Sequence, residues 1–181
     1  MNEGKIDIDK ILLQVIEVVK EYEIKYNKTI PVIMAGGVYD GYDIAKYLKL
    51  GASGVQIATR LIATNECDAH ENYKQAFVDC TKEDIELVKS PVGMPGRAIR
   101  NKLVELLKES KIKVKKCCNC LKRELCDRVT IPYCITEKLI QAVNGDVDNG
   151  LLFCGENAYR INKIVSVKDI FDEIKSELIK L

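Results

Sequence analysis

The sequence predicts an α/β fold made of consecutive β/α units. Two short apolar runs, Val32 to Ala35 and Val55 to Ala58, are separated by a segment of helical length, the pattern of strand, crossover helix and strand. The first run is followed by Gly36 and Gly37 and the second by Thr59, small or hydroxyl residues where a loop at the carboxyl end of a parallel strand begins. Helical apolar periodicity precedes the pair.

Taken in order, the chain opens with an amphipathic helix. Ile8, Ile11, Leu12, Val15, Val18, Val19 and Tyr22 recur at helical spacing, and Asp9, Lys10, Glu17, Lys20 and Glu21 take the other face, so this helix needs a sheet to cover. A polar turn from Lys25 to Thr29 and then Pro31, tolerated as the first residue of a strand, lead into the first apolar run. Asp40 is the expected N-cap of the next helix, Tyr42 to Leu50, and Gly51 its left-handed C-cap.

Beyond Arg60 the signals are weaker. Asn65 to His70 is polar, Asn72 to Cys80 reads as a short helix, and Asp84 to Val88 is an apolar run of ambiguous type. Ser90 to Asn101, with two prolines and two glycines, reads as a loop feeding a helix from about Arg97 to Lys108. A glycine before a helix can offer free N–H groups to an anion, with Arg97 and Arg100 adding charge. From spacing alone, a Pro95-Gly96 turn with solvated arginines is the preferred reading. Cys134 to Asn144 reads as a helix and Gly150 to Gly155 as a short apolar segment. A closing amphipathic helix spans Val167 to Leu181, its stripe being Val167, Ile170, Phe171, Ile174 and Leu178.

Composition limits what these elements can form. At 181 residues and 47% apolar content the chain can bury one sizeable core, but a complete (β/α)8 barrel takes roughly 200 residues or more. With 28 basic against 27 acidic residues, the net charge is +1, which leaves no footprint for nucleic acid or an anionic membrane. The charged N-terminus is unlike a signal peptide and no run approaches a membrane span, so a cytoplasmic location is expected. The eight cysteines then read as reduced thiols or metal ligands rather than disulfides.

The two strand ends suggest a phosphate cradle. Gly36 and Gly37 leave the backbone bare, so that N–H groups can approach an anion, and Thr59 supplies a hydroxyl at the corresponding place. In (β/α)8 barrels such a site commonly lies after strands seven and eight.

A-G-G-V-Y-D-G, L-G-A-S-G-V-Q-I-A-T-R, E-C-D-A-H and K-S-P-V-G-M-P-G-R-A-I-R-N together resemble the C-terminal half of the nitronate monooxygenase family, formerly called 2-nitropropane dioxygenases. Its members are FMN-dependent TIM-barrel enzymes, close to the flavin-type enoyl-acyl carrier protein reductases. The tail, with its cysteines, Y-C-I and G-E-N-A-Y-R-I, resembles the clostridial-type branch. The resemblance implies that residues 1–108 form the last β/α units of an incomplete barrel and that 109–181 form a cysteine-rich, mostly helical tail packed on it. It also implies that Ala35, Gly36, Gly37, Gln56, Ile57, Ala58 and Thr59 surround the phosphate of FMN, with Ala58 standing where most members have glycine. The substrate would be a small molecule: a nitronate oxidised with oxygen or, in the reductase reading, an enoyl thioester with NAD(P)H as reductant.

The family's catalytic histidine lies in a G-G-H motif after an earlier strand. The single histidine here, His70, does not match it and reads as a surface or helix-start residue. No catalytic residue is therefore expected in this chain, which resembles a fragment lacking the first five or so β/α units. An inactive fragment or a cysteine-rich binding module is the remaining alternative. Alone, the chain is expected to expose the apolar edges of an open half-barrel and to self-associate, unless the missing half covers them.

Cys117, Cys118, Cys120, Cys126 and Cys134 follow the spacing C-C-x-C-x5-C-x7-C. Thiolates suit zinc or iron–sulfur clusters, and Cys117, Cys120, Cys126 and Cys134 are the candidate ligands. The spacing lacks the two C-x2-C pairs of a zinc ribbon, and reduced thiols are the preferred reading.

Overall fold

The β/α grammar around residue 40 is realised as a β-α-β unit. In the computed structural model, which describes residues 7–91, 93–109, 112, 114, 117, 126, 127 and 130–181, helix α1 covers Ile8–Tyr26 and strand β1 covers Ile33–Ala35. Helix α2 follows at Gly41–Lys49 and strand β2 at Gly54–Gln56. The two strands are parallel, with Ile33 opposite Gly54 and Ala35 opposite Gln56. Asp40 caps α2 in a reciprocal capping box with Asp43, and Gly51 has φ +101°, as the cap residues predict.

This region packs as one compact unit that includes the C-terminal helix: residues up to Ile57 group with Lys168–Leu181. Its core is Leu12, Met34, Tyr47 and Ala52, supported by Ile8, Ile16, Val32, Val38, Leu50 and Val55. Lys46 of α2 pairs with Asp9 of α1 at 2.6 Å. Helix α6, Val167–Ile179, buries Ile170 and Ile174 and reaches α2 through Glu177, whose carboxylate accepts the Gly41 N–H at 2.7 Å. The last helix thus groups with the first unit.

Two faces of this unit are less covered than the sequence suggests. Met34 is buried but Ile33 and Ala35, on the other face of β1, are exposed, whereas parallel strands are ordinarily covered on both faces. Of the predicted α1 stripe only Leu12 is buried; Ile11, Val15, Val18 and Tyr22 face solvent. That stripe is too wide for the single narrow surface that β1, α2 and β2 offer, so only its Ile8 and Leu12, together with Ile16 outside it, pack on the core.

Ala58–Val167 forms the second unit. Helix α3 spans Glu71–Val78, strands β3 and β4 are Ile85–Val88 and Gly96–Ile99, and helices α4 and α5 are Lys102–Glu109 and Ile135–Val143. The strands pair antiparallel, Ile85 with Ile99 and Val88 with Gly96, and Phe153 bridges the far side of Ala98. The core is Val88, Ala98, Leu103, Val104, Tyr133 and Leu151.

β4 corrects the expected helix start at Arg97. Ala98 is fully buried between two neighbouring segments and Gly96 lies under the Phe153 ring, where an added Cβ would stand 2.4 Å from Cε1. The helix begins only after Asn101, whose side-chain oxygen accepts the Val104 N–H at 3.0 Å while its amide donates to Val147 and Gly150 carbonyls at 2.6 and 2.8 Å. No described helix is long and apolar enough to cross a membrane.

Candidate phosphate-binding site

The parallel register brings the carboxyl ends of β1 and β2 side by side, so that Ala35, Gly36 and Gly37 leave the sheet next to Gln56 and Ile57. Gly36 and Gly37 hold φ +93° and +70°, a region that side chains disfavour. At Gly36 an added Cβ would meet nothing within 4 Å. Packing therefore does not require glycine there; the backbone turn does, and its exposed surface is open to a ligand. At Gly37 the same test finds the Tyr47 hydroxyl at 3.6 Å, an ordinary contact.

The neighbouring end of α2 is a different case. Asp43 accepts the Tyr39 N–H at 2.9 Å, Asp40 accepts the Asp43 N–H at 2.9 Å, and Glu177 accepts that of Gly41. These amides are already matched to carboxylates of this chain. That helix end is therefore complete without an anion.

Ala58 and Thr59 belong to the second unit. Ala58 has φ −132°, outside the left-handed region that favours glycine. The Thr59 hydroxyl oxygen accepts the Gly155 N–H at 2.8 Å and keeps its own proton to donate. Sequence reasoning had no signal for Gly155, since the two residues lie 96 positions apart.

The remaining candidates are placed as follows. Arg100 pairs with Asp84 at 2.8 Å and Glu86 at 3.7 Å, and Arg97 lies 3.9 Å from Glu156. The arginines expected to be solvated are 39% and 42% exposed and are also ion-paired, and Gly96 lies in a strand, which removes the helix-start anion site. His70 is the N-cap of α3: its Nδ1 accepts the Asn72 N–H at 3.1 Å and its own backbone N–H donates to the Val143 carbonyl at 2.9 Å.

Among the described residues, Cys67, Cys80, Cys134 and Cys154 are free thiols, and no group of His, Cys, Asp and Glu that could hold a metal is present. Cys118 and Cys120 lie outside the described residues. Burial pushes the Cys80 thiol up to about 11 and that of Cys154 up to about 12, which keeps both protonated at neutral pH.

The family model for nitronate monooxygenase matches residues 2–177. The chain belongs to the nitronate monooxygenase family. This is a family of TIM-barrel flavoprotein oxidoreductases, and the α/β fold agrees with it. A probable nitronate monooxygenase of Bacillus subtilis is 27% identical over 159 residues, covering 84% of this chain and 41% of the relative. Among solved structures, FabK from Thermotoga maritima matches with a TM-score of 0.70 at 26% identity, covering 98% of this chain and 50% of that one. A nitroalkane oxidase from Streptomyces ansochromogenes shares the fold, with a TM-score of 0.66 at 22% identity over 95% of this chain and 43% of that one. The chain thus spans half or less of the length of each of these three proteins.

Proposed function

We propose that this chain is the flavin-phosphate-holding part of an FMN-dependent oxidoreductase of nitronate monooxygenase type. The observation that carries the proposal is the left-handed Gly36-Gly37 turn at the end of β1, beside Gln56 and Ile57 at the end of β2. In this reading the backbone of Ala35, Gly36 and Gly37 approaches the phosphate without side-chain obstruction, and Gln56 and Ile57 flank it. Ala58 and Thr59 follow in the chain and take the same role by family resemblance, Thr59 with a hydroxyl that Gly155 holds in orientation. A bound flavin supplies the redox chemistry, oxidising a nitronate with oxygen as the final acceptor. No residue of this chain is assigned as the base, since His70 is occupied as a helix cap.

The likeness to FabK supports a second reading, a flavin-dependent reductase of enoyl thioesters or quinones that draws on NAD(P)H. Oxygen uptake with a nitronate, against NAD(P)H oxidation with an enoyl thioester, separates the two once the chain is in a catalytically complete protein.

Phosphate recognition is tested on the chain as it stands. Flavin fluorescence titrations should show FMN binding at least about tenfold tighter than riboflavin, which lacks the phosphate, a difference of about 1.4 kcal/mol. Gly36→Ala adds only a methyl group in open space, so its effect acts through the backbone turn and should bring FMN down to the riboflavin level. Equal affinity for the two flavins in the unmodified chain overturns the assignment.

A further inference from the structure

α1 carries a second apolar stripe that its own unit does not cover. Ile11, Val15, Val18 and Tyr22 are 46%, 43%, 52% and 48% exposed, and their spacing of four, three and four residues is that of an a/d seam. Ile8 precedes and Lys25 follows at the same spacing.

The seam is self-complementary when a second copy runs antiparallel to it. A two-fold axis midway between Val15 and Val18 sets Val15 against Val18 of the other copy, Ile11 against Tyr22, and Ile8 against Lys25. The larger Tyr22 thus meets an aliphatic chain, and the middle of the seam holds four valines. Charge agrees with this orientation: Lys25, in the last turn of one helix, falls beside Asp7, the N-cap of the other, twice by symmetry. A parallel pair would instead set Lys25 against Lys25 within an apolar seam and align the two helix dipoles unfavourably.

We propose that α1 is the interface of a two-fold homodimer in which the Ile11, Val15, Val18 and Tyr22 stripes of two copies pair antiparallel. The patch is small against the ~800 Å² per partner of a standard interface, so the dimer is weak, with a Kd on the order of 10 µM.

Sedimentation velocity of the full chain should show a concentration-dependent shift from 20.4 kDa to twice that mass. Val15→Lys and Val18→Glu each place a charge against a valine of the other copy and should weaken dimerisation at least about tenfold, a loss of about 1.4 kcal/mol. Both sites are exposed, and unchanged far-UV circular dichroism confirms that the variants fold. Mixing the two variants should restore a dimer, because the introduced lysine of one copy then meets the introduced glutamate of the other while the second valine pair of the seam survives. Leu13→Glu, 49% exposed but off the seam, should leave the dimer intact. A chain that stays monomeric at about ten times the expected Kd overturns the proposal, and so does a dimer that survives both single variants or variants that fail to complement. None of these readouts depends on flavin binding.

Discussion

A methyl group at Gly150 would stand 2.4 Å from the Ala142 amide nitrogen and 2.5 Å from its Cα, both backbone atoms of α5. Neither can step aside without moving the helix, and Gly150 also gives its carbonyl to Asn101, the residue that starts α4. Gly150→Ala should therefore lower stability by at least about 2 kcal/mol in urea unfolding; a change near zero would show that α5 shifts freely.

Asp84 sets a second residue-level expectation. Its carboxyl titrates below the ordinary 3.8, first because the Thr81 hydroxyl and amide donate to it and then because Arg100 lies beside it. A depressed carboxyl contributes stability that is fully present above 3.8 and is lost as pH falls through the lower folded-state value. Melting temperatures of the unmodified chain and Asp84→Asn should differ at about pH 5 and converge toward about pH 2. A difference that does not depend on pH would assign the effect to packing instead.

At the scale of elements, α2 shows how a helix end can be completed from a distant part of the chain. The amides of Tyr39, Asp43 and Gly41 around its start meet Asp43, Asp40 and Glu177, and the last of these acceptors is a residue of α6 that lies 136 positions from Gly41. Glu177→Ala should cost about 1 kcal/mol in chemical denaturation, and Glu177→Gln, which keeps an acceptor, less. Equal losses from both would assign the contribution to charge at the helix terminus. Asp40 and Gly51 were readable as helix boundaries because caps are local chemistry. β4 was not: Gly96-Arg97-Ala98-Ile99 is too short for a periodic signal, and what makes it a strand is pairing with Ile85–Val88 and with Phe153, partners that spacing does not reveal. Glu177 and Gly155 escaped notice for the same reason.

For the whole molecule, motif order carried the family assignment and local chemistry carried the β-α-β unit, because both are written in contiguous residues. The glycine turn of the candidate site was legible as Gly36-Gly37, and its positive φ angles follow from the need to leave β1 sharply. What the sequence could not show was coverage. A helical stripe states that a surface is apolar but not how much of it a neighbour will bury, so the solvent-facing half of α1 and the bare Ile33 face of β1 emerged only from the structure. One junction in the second unit also provides a built-in reporter. His70 sits against Gly145, where a Cβ would come within 2.5 Å of Nδ1, and it is the only histidine in the chain. A magnetic resonance spectrum of this protein therefore contains a single imidazole environment, and any loosening of the α3 cap from the turn after α5 is readable from that one ring without a label.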